Sequence, residues 1–152
     1  MPRELRVRDN LGFSSIVKQA KNLDADLREL VVNALDDAQK EFGIDELSYV
    51  RAKLPRKMSQ TRKNSTGWIR DLADAMSILG SWHERVANEP TCEERLDWRL
   101  AGATLFYFIN PFDVIPDHTP ASGYIDDAFA FYYCVRNLPE DWVELTDSLD
   151  RD

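Results

Sequence analysis

Cysteine and histidine are scarce in this chain, with two of each among 152 residues. Cys92 and Cys134 stand far apart and in no metal-ligand spacing. Reduced thiols are the simplest reading, and one disulfide stays open. With His83 and His118 as the whole histidine supply, a His-rich metal site is excluded. His83-Glu84 lacks the second histidine of a zinc-protease helix, and there is no Glu-x-x-His of a di-iron bundle. Glycine-rich phosphate loops and Gly-x-Ser-x-Gly are both missing. The longest apolar run, Leu100–Ile109, falls well short of the ~20 residues a membrane-spanning helix needs. Met1–Arg6 has no apolar core after its charges, so no signal peptide is expected and a cytoplasmic setting is. No segment alternates like a strand, and no repeat is visible.

The chain does have 43% hydrophobic residues, which suffices for one packed core. Its net charge of −8 and pI near 4.8 set the surface against nucleic acid and anionic membrane. Helical periodicity dominates. Leu23, Leu27, Leu30, Val31, Ala34, Leu35, Ala38 and Phe42 predict an amphipathic helix over 23–42, started by Asn22 or Asp24 and ended by Gly43. Residues 13–21 carry a weaker helical pattern. Ile69, Leu72, Ala73, Met76, Leu79, Gly80 and His83 predict a second long helix from Thr66, closed by Pro90. His83 shares that apolar face and reads as a core histidine. Thr91 and Glu94 read as a capping box for a helix running to about Phe108. That helix ends apolar on all sides, as a buried helix end does.

Residues 51–70 differ in kind. They hold Arg51, Lys53, Arg56, Lys57, Arg62, Lys63 and Arg70, no acid, and the breakers Pro55 and Gly67. A basic linker is expected over 51–66, between an amino-terminal helical arm (1–50) and a helical body (67–152). The basic side chains are expected to pair with an acidic helix opened by Pro139 (Glu140, Asp141, Glu144, Asp147, Asp150). A nucleic-acid surface built from Arg56, Lys57, Arg62, Lys63 and Trp68 is the sharper alternative.

The densest chemistry lies between Tyr107 and Asp127. Three prolines (Pro111, Pro116, Pro120) and four aspartates (Asp113, Asp117, Asp126, Asp127) separate two apolar stretches. Asn110-Pro111 stops the preceding helix, Ser122 caps the next, and its apolar face is Ile125, Ala128, Phe129, Tyr132 and Val135. Asp126 and Asp127 point about 100° apart on that helix. At least one is expected to fold back onto the loop amides or to pair with Arg95, Arg99 or Arg136. A hard-cation site is the sharper alternative: Asp113, Asp117, Asp126 and Asp127, with His118 peripheral, carry the oxygen ligands that magnesium, manganese or calcium take. Such a site would let bound water attack a phosphoester. No positioned base or nucleophile accompanies it, so no catalytic residue is assigned and no resident cofactor is expected.

The pattern Pro111-x-Asp113-x-Ile115-Pro116-Asp117, Pro120, Gly123-Tyr124-x-Asp126-Asp127 resembles the signature of the YkvA-like proteins, a bacterial family of unknown function, over about residues 101–135. The resemblance implies a small helical hairpin built around this loop, and brings no catalytic residue, substrate or cofactor. His118, Thr119, Ala121 and Ser122 stand where the family often places bulky aliphatics, so peripheral membrane contact is not indicated for this chain. The expectation is an all-α domain of five to six helices, with helix 23–42 packed across the hairpin. It is expected to work as a non-enzymatic interaction module that self-associates or docks onto a protein partner. Ten of the sixteen aromatics fall between Phe106 and Trp142, more than a small core readily hides.

Overall fold

The computed structural model describes residues 13–110 and 124–138. Six α-helices follow one another: α1 Phe13–Ala20, α2 Ala25–Glu41, α3 Ile44–Arg62, α4 Gly67–Ala87, α5 Leu96–Ile109 and α6 Ile125–Arg136. One 3-10 turn, Cys92–Glu94, precedes α5, and there is no strand among the described residues. The domain is all-α. No helix of the described residues is long and apolar enough to cross a membrane. The turn and the helix expected at Pro111 and Pro139, and the Ser122 cap, lie outside the described residues.

α5 is the axis. It buries Trp98, every residue from Leu100 to Leu105, Tyr107 and Phe108, and it packs against α2, α3, α4 and α6. α1 lies over α4 and α6, and α2 over α5 and α6, so the helix expected at 23–42 does pack across the α5–α6 hairpin. Asp24 takes the N-cap position of α2 by backbone alone, with no side-chain cap bond. Gly43 does not end α2. Phe42 is the C-cap, and Gly43 is the N-cap of α3, where its N–H donates to Glu46 Oε1 at 3.2 Å.

The basic linker expected over 51–66 is helix as far as Arg62. Leu47, Val50, Leu54 and Thr61 are buried at helical spacing against α4 and α5. That burial outweighs Pro55, whose missing N–H costs an interior helix roughly 3 kcal/mol. The acids that answer this stretch lie on α4: Arg51 Nε pairs with Glu84 at 2.5 Å and Arg62 Nε with Asp74 at 3.0 Å. The Thr91–Glu94 capping box is also absent, since Thr91 makes no side-chain cap bond and α5 starts only at Leu96. Arg95 sets that start by holding Glu89 at 2.8 Å and Asp97 through two bonds of 2.8 and 3.0 Å. Asp97 in turn accepts the Trp98 N–H at 2.7 Å.

The face expected for α6 is part of a wider buried surface. Ala128, Phe129 and Val135 are buried and Ile125 and Tyr132 half-buried, but Asp126, Asp127, Ala130, Phe131 and Cys134 are buried as well. α6 is covered on three sides by α1, α2 and α5, so no single stripe describes it. Both cysteines are buried free thiols, and burial pushes the Cys134 thiol up to about 12.

Candidate functional site

Asp126 and Asp127 are adjacent carboxylates in the first turn of α6, and they are only 2% and 1% exposed. The helix N-terminus favours negative charge there. From α5, the buried hydroxyl of Tyr107 donates to Asp126 Oδ2 at 2.7 Å. This bond ties α5 to α6. The three arginines proposed from sequence are engaged elsewhere. Arg95 holds Glu89 and Asp97, Arg99 donates to the Lys40 carbonyl, and Arg136 reaches the Tyr132 hydroxyl at 3.0 Å. Both aspartates are buried, and Asp126 has the Tyr107 hydroxyl as a partner; the loop amides expected for them lie outside the described residues. Tyr107 opens the same sequence run, and its phenol was the signal available.

Asp113, Asp117 and His118 lie outside the described residues. Among the described residues, no group of three or more His, Cys, Asp or Glu side chains is placed to hold a metal ion. Chemically, Tyr107 with Asp126 is a buried hydrogen-bonded pair in which the hydroxyl occupies one site on one carboxylate oxygen.

The residues proposed for nucleic acid are not gathered onto one face. Arg62 is committed to Asp74. Lys57 turns toward the hairpin, its Nζ 5.4 Å from the Phe108 ring centre and 5.6 Å from that of Tyr124. Trp68 is half-buried against the core, while Arg56 and Lys63 are exposed.

A feature no local pattern announced is a groove of ≈650 Å³ where α2 and the start of α3 part over α5. Its floor is Ala34, Ala38, Phe42 and Phe106; Asp37, Glu41 and Glu46 stand at its rim with Lys40. Phe106 is half-buried there and rests on Tyr49 with ring centres 5.1 Å apart. The three large apolar side chains most exposed among the described residues are Leu30, Ile44 and Leu96. Leu30, 53% exposed, lies on the α2 stripe of Ala34, Asp37 and Glu41; Ile44, 50% exposed, falls between Phe42 and Glu46 in the chain. Leu96 is 66% exposed, and its carbonyl accepts a 2.8 Å bond from Gln39 of α2.

Residues 97–133 match the profile of a family described as a protein of unknown function (DUF1232). The matched segment runs from the first turn of α5 to Tyr133 of α6, so it contains both partners of the Tyr107–Asp126 tie. No curated protein and no solved structure matches the chain.

Proposed function

We propose that this protein is a non-enzymatic helical interaction module that docks a protein partner on its α2 side. The observation that carries the reading is the open groove floored by Phe106, with the exposed Leu30 on the α2 stripe that lines it. An apolar floor left open at the surface is the kind of feature that marks contact surfaces. The YkvA-like assignment of the α5–α6 hairpin belongs to the same proposal, on the signature residues and the match to a family of unknown function. A cytoplasmic setting does too, and two free buried thiols suit a reducing compartment. The metal-dependent hydrolase is the second reading, supported by the adjacent buried carboxylates Asp126 and Asp127. The Tyr107 hydroxyl on Asp126 favours a structural tie over that chemistry.

The test is site-specific photocrosslinking in cells that produce the protein. A photoreactive residue at Leu30, Ile44 or Leu96 should give the same discrete adduct. The same residue at Ser81, exposed on α4, should give none. Absence of a discrete adduct from all three exposed apolar positions sinks the reading.

A further inference from the structure

Building on that docking reading, we infer that the groove between α2 and α3 takes a basic amphipathic helix from another protein. The site has the shape for it. α5 is apolar on nearly every face and is flanked by α2, α6, α4 and α3, and the groove lies where α2 and α3 leave Phe106 uncovered. Ala34 and Ala38, one turn apart, carry side chains too small to close that space. Leu30, Asp37 and Glu41 share the stripe of Ala34 at helical spacing, so the groove edge runs from Leu30 to Glu41, about 16 Å or three helical turns. A partner helix of that length would set apolar side chains on Phe106 and Leu30.

The charge selects the partner. Three carboxylates, Asp37, Glu41 and Glu46, face one cation, Lys40. Asp37 and Glu41 are exposed, and Glu46 spends one oxygen on the Gly43 N–H. The long stem of a lysine or arginine can lie on the alanine and phenylalanine floor while its cation reaches the rim. A second copy of this chain is disfavoured, because each copy carries −8.

The probes are two synthetic amphipathic helices of one length, one of leucine and lysine, the other of leucine and glutamate, titrated against the full chain at low and moderate salt. The lysine peptide should bind, weaken with salt, and outbind the glutamate peptide by at least about tenfold. Asp37→Asn with Glu41→Gln, at exposed positions, should cost about tenfold in affinity while leaving the melting temperature unchanged. Ala38→Trp should block binding by filling the floor. Equal binding of both peptides, lost only in Ala38→Trp, overturns the basic partner while leaving the docking reading intact. No binding of either peptide also overturns it, and the crosslinks at Leu30, Ile44 and Leu96 then judge the docking reading separately. Lysine-peptide binding that emerges only after removal of residues 1–12, with Arg3, Arg6 and Arg8, would give the groove to the chain's own amino terminus and overturn the proposal.

Discussion

His83 and Trp98 stack face to face, ring centres 4.5 Å apart and planes 4° from parallel, and each ring donates to the other residue's backbone carbonyl. His83 Nε2 lies 3.1 Å from the Trp98 oxygen, and Trp98 Nε1 lies 3.0 Å from the His83 oxygen. The carbonyl can only accept, so Nε2 carries the proton. Phe42 closes the cluster with its edge toward both rings, at 5.4 Å and 5.3 Å. α4, α5 and the end of α2 are joined through these three side chains.

This arrangement makes the fold acid-sensitive. Burial is the main cause that lowers the His83 pKa from 6.5 to about 4, with the bond to the Trp98 carbonyl opposing it. Below pH 6.5 the unfolded chain takes up a proton that the folded one refuses. Stability is therefore full above 6.5, falls as pH drops toward 4, and stops falling from this cause below that. The loss is about 3 kcal/mol across the window. Urea unfolding of the wild type and His83→Gln at several pH values checks it. The difference between the two should shrink with acid, and a constant difference would disprove the coupling.

Gly102 and Phe42 make the second prediction. A Cβ at residue 102 would lie 2.4 Å from Phe42 Cε1 and Cζ, and the ring is pinned by His83 and Trp98. Gly102→Ala should cost about 1–3 kcal/mol, as overpacking a filled core does. Added to Phe42→Leu, the same change should cost much less, because the ring that it strikes is gone. Thermal melts of the four chains read this coupling, and strictly additive losses would mean that the α2–α5 approach is set elsewhere.

The third prediction separates the tie from the metal. Tyr107→Phe removes a donor from a buried carboxylate and should cost about 1–3 kcal/mol. Asp126→Asn should lose stability in the same range. Under the structural reading both losses are equal in EDTA and in magnesium or manganese. A metal-induced rise in melting temperature that is present in the wild type and lost in Asp126→Asn would instead establish an ion site.

Much of this was legible in the residues. All seven α4 positions assigned to one face, His83 included, are buried, because α4 is a helix with water on one side and core on the other. The apolar end of α5 was readable for the same reason in reverse. Local pattern failed where neighbours decide. α6 is enclosed by three helices, so its buried set includes two aspartates and follows no single stripe. The helix over 51–62 was hidden by Pro55 and by bases whose acids sit on another helix. The tie from Tyr107 to Asp126 and the groove depend on distances across the fold, and a groove is a lack of side chains that no spacing records.

Pro55 gives the last prediction. It stands exposed in the interior of α3, one residue after the buried Leu54. With no N–H it leaves the Arg51 carbonyl without its usual donor. Leu54 meanwhile presses on α4, where a Cβ added to Gly80 would lie 3.0 Å from Leu54 Cδ2, so α3 and α4 are already at close approach. Pro55→Ala restores the donor and a better helix former on the solvent side, touching none of that contact. It should raise stability by about 1–3 kcal/mol, with slower amide exchange along α3. Unchanged or lower stability in Pro55→Ala would show that α3 is bent around the proline and that the bend is what seats Leu54.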